Sequence, residues 1–128
     1  MKILVVEDEL EVLRVLNKQL TADGHQVFTA NCGQDAIKTA SVQRPDLILI
    51  DIMLPDVDGP DVIKHLAENP LIAPSIPTIF FSGIVSKNDG QKKPEVVVNG
   101  RKYPAIAKPF TYEELKQKMI SVCAPKGT

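Results

Sequence analysis

Residues 46–60 read DLILIDIMLPDVDGP, and this stretch decides the fold. Four apolar residues, Leu47 to Ile50, run directly into Asp51. A continuous apolar run of this length is the pattern of a strand buried on both faces. A loop from Pro55 to Gly59 follows, then a helical pattern through Val62, Ile63 and Leu66. Open α/β sheets bind their ligands at the carboxyl ends of strands. Asp51 stands at such an end and is the first candidate for chemistry.

The flanking sequence repeats the pattern. Residues 3–6, ILVV, form a second central strand that stops at Glu7, Asp8 and Glu9. Leu10, Leu13, Leu16 and Leu20 then recur at helical spacing until Gly24. Residues 26–30, QVFTA, give a short strand. Gly33 is expected to turn the chain, and Ala36, Ile37 and Ala40 mark the buried side of the next helix. Pro45 should hold residue 44 in extended geometry. Pro70 stops the third helix, and 70–77 reads as a stiff connector. Residues 78–81, TIFF, form a fourth strand ending at Ser82, and 105–107, AIA, a fifth ending at Lys108. Thr111 and Glu114 have capping-box spacing at the start of a last helix, with Leu115, Met119, Ile120 and Val122 on its apolar side.

Helices separate all these strands except the last two. The expectation is an α/β fold: a doubly wound five-stranded parallel sheet covered by helices on both faces. Between 83 and 104 a crossover helix would be usual. The sequence argues instead for a hairpin or an irregular segment, with VVV, Asn99-Gly100 and RKY in hairpin order.

Composition narrows the function. A chain of 128 residues suits one domain, expected over 1–124 with a frayed tail at 125–128. Apolar residues make up 44% and charged residues 24%, with a net charge of −1, so neither a nucleic-acid nor a membrane surface is indicated. The short apolar run after Met1 is neither a leader nor a membrane span. Cys32 and Cys123 fit no metal spacing and no disulfide framework, which points to buried thiols and a cytoplasmic setting.

In a parallel sheet all strand ends share one edge, so Glu7, Asp8, Asp51, Ser82 and Lys108 are expected to meet there. Converging carboxylates repel, and a hard divalent cation relieves the repulsion. Mg²⁺ suits the donors: Asp8 directly, Glu7 through water, Asp51, and the backbone carbonyl of Met53. Asp51 is better used as a nucleophile toward phosphorus, with the metal screening the incoming charge. Lys108 can pair with Asp51 at rest and with a phosphoryl oxygen afterwards. Pro109 keeps it out of helical geometry, and the Lys108–Pro109 bond is a candidate for the cis form. Ser82 can donate its hydroxyl to the same phosphoryl group. Taken singly, each feature has an ordinary explanation, such as a solvated acidic turn, a surface lysine or a strand-end cap; the set of five outweighs them. His25 and His65 are not placed to act as bases, and no nucleotide-binding glycine motif is present.

Four segments in order, ILVVEDE at 3–9, LILIDIMLPDVDG at 47–59, TIFFSG at 78–83 and AKPFT at 107–111, resemble the receiver (response-regulator) domains of bacterial two-component signalling. The resemblance covers nearly the whole chain. It implies a flavodoxin-like sheet of order 2-1-3-4-5, with Asp51 as the phosphorylated aspartate and Glu7 and Asp8 as the Mg²⁺-binding pair. It makes Ser82 and Lys108 the hydroxyl and lysine of the site. The donor would be a phosphohistidine on a sensor histidine kinase or a histidine phosphotransfer protein, and release would be hydrolysis in the same site. No separate substrate turnover is implied, and the downstream protein or output domain is not specified. Met53 and Ile84 occupy positions that modulate hydrolysis in the family.

Two features depart from that pattern. The aromatic residue expected three positions before the lysine is Ala105, and Tyr103, two residues earlier on the same strand face, is the candidate substitute. The segment between Ser82 and Lys108 is long and lacks the usual helix, which affects an output face spanning positions 84–122. Two other readings stand beside the leading one: a receiver-like binding module that works without phosphorylation, and a small hydrolase with an aspartyl-phosphate intermediate. A free-standing receiver and a piece of a longer regulator both fit the length; Met1 directly before the first strand favours a natural N-terminus.

Overall fold

The computed structural model describes residues 1–69, 76–83 and 95–123. Six strands and four helices are present among them: β1 (Lys2–Val6), α1 (Leu10–Ala22), β2 (Gln26–Ala30), α2 (Gly33–Gln43), β3 (Leu47–Asp51), α3 (Gly59–Ala67), β4 (Thr78–Ser82), β5 (Glu95–Val98), β6 (Arg101–Ala107) and α4 (Tyr112–Cys123). The sheet order is β2-β1-β3-β4-β6-β5. Five strands are parallel in the expected succession, β6 taking the fifth place. The antiparallel β5 is added at the edge. Residues 70–75 of the 70–77 connector, Ile84 and the tail lie outside the described residues.

The hairpin reading of 96–103 holds. Asn99 and Gly100 both take positive φ, +52° and +79°, as a two-residue turn of mirror-image type requires. Val96, Val98 and Tyr103 face one side of the sheet and pack with its core. β5 also packs against α3.

Alternation along the strands builds two cores. Leu4, Val6, Ile48, Ile50, Phe80, Tyr103 and Ala105 face α2 and α3. Ile3, Val5, Leu47, Leu49, Ile79, Phe81 and Ile106 face α1 and α4. A fully buried Leu, Ile or Phe contributes roughly 1.5–3 kcal/mol, so β1 and β3, buried along nearly their whole length, anchor the sheet.

Several local expectations are corrected. Leu10 and Ile120 are exposed, so the buried stripes rest on Leu16 and Leu20 in α1 and on Leu115 and Met119 in α4. Arg44 is left-handed (φ 48°) rather than extended: it closes α2 with its N–H on the Ala40 carbonyl, and helix ends favour that conformation. Cys32 and Cys123 are half-buried free thiols. Gly33 begins α2 instead of forming a turn. A Cβ there would lie 2.2 Å from Val57 Cγ2, so a larger residue would have to push that side chain of the β3–α3 loop aside. Among the described residues no helix is long and apolar enough to cross a membrane.

Candidate functional site

Strand parity sets the site. Leu47 and Leu49 face α1 and α4, so Asp51 at the end of β3 falls on that side. Ile3 and Val5 carry the same parity to Glu7, and Ile106 carries it to Lys108. Hydrogen bonds from Glu7 N–H to the Ala30 carbonyl and from Lys108 N–H to the Ser82 carbonyl continue the ladder one step past β1 and β6. Three ionisable side chains far apart in sequence therefore point into one space.

Lys108 Nζ donates to Asp51 Oδ2 at 2.6 Å and to Glu7 Oε2 at 2.7 Å. The second Asp51 oxygen accepts the Met53 N–H at 2.9 Å. Asp8 is exposed beside this pair, and one oxygen from each of Glu7, Asp8 and Asp51 lies within 4.8 Å of the others. A cleft of about 420 Å³ opens here, lined by Asp8, Asp51, Met53, Ser82 and Lys108 among others. Ser82, at the end of β4, is buried to within 1% of full enclosure.

The charges do not balance. Glu7 is fully buried, and burial, with the Asp51 charge beside it, pushes its carboxyl up to about 7 despite the Lys108 hydrogen bond. Burial works against the Lys108 charge, but the hydrogen bonds and charges of Asp51 and Glu7 outweigh it and hold the ammonium above the ordinary lysine value. Among the described residues, one ammonium thus pairs with Glu7, Asp51 and, at 3.5 Å, Glu9, while Asp8 clusters with Glu7 and Asp51. The remaining negative charge and the all-oxygen donor set fit a small hard divalent ion.

The loop after Asp51 is closed at its base. Gly59 N–H donates to the Ile52 carbonyl at 2.7 Å, and Met53 and Asp58 form an antiparallel bridge. A Cβ on Gly59 would lie 2.2 Å from the Asp51 carbonyl oxygen, so no other residue allows this approach. Pro109 follows Lys108 through a cis peptide bond, and Phe110 stacks on Phe81 with ring centroids 5.0 Å apart.

The structure brings together Glu7, Asp8, Asp51, Met53, Ser82 and Lys108. Tyr103 sits elsewhere. It is buried on the face of Ala105, edge-on to Phe80 at 6.0 Å, two residues back along β6, about 7 Å further from the cleft. His25 is half-buried beside the N-terminal amine and His65 is exposed, both away from the cleft. Glu9 went unassigned in the sequence. Its N–H donates to Glu7 Oε1 at 3.2 Å and its carboxylate lies 3.5 Å from Lys108 Nζ. The run of three acidic residues after β1 was the available signal.

The chain is similar to known proteins in sequence and in fold. The family model described as the response regulator receiver domain matches residues 3–120. The chain is 33% identical over 126 residues to the probable transcriptional regulatory protein TcrX of Mycobacterium tuberculosis, covering 98% of this chain and 50% of that protein. It is 44% identical over 73 residues to the alkaline phosphatase synthesis transcriptional regulatory protein PhoP of Bacillus subtilis, covering 57% of this chain and 30% of that protein. The chain spans half or less of the length of these relatives. Among solved structures, the receiver domain of sensor histidine kinase PA1611 from Pseudomonas aeruginosa matches with a TM-score of 0.78 at 25% identity, covering 97% of this chain and 98% of that one. That structure carries a magnesium ion coordinated in its active-site cleft. The chemotaxis response regulator CheY4 of Vibrio cholerae matches with a TM-score of 0.77 at 25% identity, covering 94% of this chain and 97% of that one.

Proposed function

The chain belongs to the response regulator receiver domain family, and on that premise we propose that it is a phosphoacceptor signalling domain in which Asp51 takes a phosphoryl group from a phosphohistidine donor. Receiver domains as a family partner with histidine kinases or histidine phosphotransfer proteins; the donor here is proposed to be one of these. The domain is assigned to 1–124.

The observation that carries this reading is the cluster of Glu7, Asp8 and Asp51 carboxylates, two of them held by the Lys108 ammonium, in a cleft lined by Asp8, Asp51 and Lys108. Glu7, Asp8, Asp51 and the Met53 carbonyl would hold Mg²⁺, which when bound screens the repulsion between the Asp51 carboxylate and an incoming phosphoryl group. An Asp51 oxygen forms the new O–P bond as the N–P bond of the donor breaks, and the imidazole leaves with the electron pair and takes a proton from water. Lys108, which rests on Asp51 Oδ2, transfers its hydrogen bond to a phosphoryl oxygen. Ser82, buried at the cleft wall, donates its hydroxyl to the same group.

The added phosphoryl charge of roughly −1.5 to −2 then shifts a conformational equilibrium that a partner reads. Ser82 and Tyr103 are the proposed movers. Tyr103 lies on the face of Ala105, where the family's ring is missing, and contacts Phe80, two residues before Ser82. Equal exposure of the Tyr103 ring in the metal-free protein and in the protein bound to a phosphoryl analogue would reject its part in the switch.

Incubation with a small-molecule phosphodonor and Mg²⁺, read by intact mass, tests the central assignment. A single phosphoryl adduct that disappears in Asp51→Asn is expected. Absence of an adduct, or its persistence in that variant, would overturn the reading.

A further inference from the structure

α2 starts without a cap of its own. Its first residue is Gly33, and Cys32 before it offers no capping side chain. Helix starts carry backbone N–H groups with no partner inside the helix. Here the partner comes from another element. Gly33 N–H donates to Asp56 Oδ1 at 2.7 Å, and Gln34 N–H donates to Asp56 Oδ2 at 2.9 Å. Both carboxylate oxygens are engaged, and Asp56 Oδ1 also accepts the Val57 N–H at 3.0 Å.

Asp56 belongs to the loop that hangs from Asp51. The base of that loop is fixed by the Gly59–Ile52 hydrogen bond and the Met53–Asp58 bridge. Its outer part meets α2 at Asp56 and at Val57, whose side chain lies over Gly33. Met53 belongs to that base, three residues before Asp56; its N–H holds Asp51 Oδ1, and its carbonyl is a proposed Mg²⁺ ligand.

We propose that Asp56 is a positioning residue for the metal site: by clasping the first turn of α2 it fixes the loop that presents Met53 to Asp51 and to the cation. Asp56 touches no reacting atom. It acts through the backbone, as groups behind metal ligands do when they orient those ligands. The clasp also ties the attitude of α2 to the phosphoacceptor loop, so a displacement of one reaches the other. This inference rests on the phosphoacceptor reading only for the identity of the ion.

Asp56→Ala removes all three bonds to the carboxylate, two of them from α2, while Asp56→Asn keeps one acceptor oxygen and serves as the milder variant. Titration with Mg²⁺ alone, followed by the amide shifts of Asp8 and Asp51, gives the affinity. Hydrogen exchange of the Met53 amide in metal-free protein gives the loop's order. In Asp56→Ala the Mg²⁺ dissociation constant is expected to rise about tenfold, with faster Met53 exchange and Asp56→Asn in between. Unchanged Mg²⁺ affinity in both variants, whatever their melting temperatures, overturns the proposal, because a purely structural cap would lower stability alone. If the unaltered protein binds no Mg²⁺, the phosphoacceptor reading fails, and Met53 exchange decides the clasp: faster in Asp56→Ala supports it, unchanged refutes it.

Discussion

Lys108 Nζ donates to Asp51 Oδ2 at 2.6 Å, across 57 positions of sequence. The same ammonium donates to Glu7 Oε2 at 2.7 Å, so the two buried carboxylates share one donor group.

Replacing the lysine separates chemistry from response. Lys108→Ala is expected to retain some phosphodonor labelling by intact mass but to lose the amide-shift changes that follow phosphorylation. Its stability in urea should fall by about 1–3 kcal/mol, the range for losing hydrogen bonds to charged groups. A full conformational response in the variant would contradict the role given to this residue.

The Glu7 carboxyl has a defined pH signature. Its folded value of about 7 lies above the ordinary 4.5, so between these values the folded state holds a proton that the unfolded state has released. Glu7 therefore contributes stability that is complete below pH 4.5 and is lost as pH rises through 7. Relative to the unaltered protein, Glu7→Gln should gain about 1–3 kcal/mol between pH 5 and pH 8. Urea denaturation of the metal-free proteins at several pH values checks this. Equal pH dependence in the two proteins would exclude the shift.

A proton on Glu7 would oppose a cation held beside it. The Mg²⁺ affinity of the unaltered protein is expected to be weaker at pH 6 than at pH 8. Calorimetric titration at both values would measure the difference, and a flat profile would remove Glu7 from the ligand set.

The two close-contact glycines should differ in cost. A Cβ at Gly59 meets the Asp51 carbonyl oxygen, a backbone atom that cannot withdraw, whereas one at Gly33 meets a methyl of the half-exposed Val57. Gly59→Ala is expected to lose about 1–3 kcal/mol in denaturant unfolding, with Gly33→Ala costing less. The reverse order would show that the loop, rather than the strand end, is the rigid partner.

Tyr103 tests the packing of the hairpin. It is buried against Phe80 and cross-strand from Val96. Tyr103→Ala should cost about 3–5 kcal/mol in the same assay, as large aromatic truncations do. Tyr103→Phe should cost much less, because the ring is kept. Similar losses in both variants would place the energy in the hydroxyl.

The elements were legible because local patterns carried them. Apolar runs marked β1, β3 and β4, the Asn99-Gly100 pair marked the hairpin turn, and Thr111 with Glu114 marked the start of α4, where each side chain does hydrogen-bond the other's N–H. Leu10 and Ile120 were misread because periodicity says which residues can share a face, not how wide the covered stripe is. Asp56 left no trace, since a carboxylate that caps a helix 22 or 23 residues earlier in the chain looks like any loop aspartate.

The sequence marked the strand ends at Glu7, Asp8, Asp51, Ser82 and Lys108, and the parallel topology it implied gathers such ends on one edge. Packing in three dimensions set the rest: that Glu7, Asp51 and Lys108 fall on the same side of the sheet, that one ammonium reaches both buried carboxylates, that β5 takes the sheet edge, and that Asp56 fastens the loop to α2. A strand end is written locally, as an apolar run that stops at a polar residue. The register between strands and the approach of a loop to a distant helix are set by packing summed over the whole core, and no single stretch of sequence encodes them.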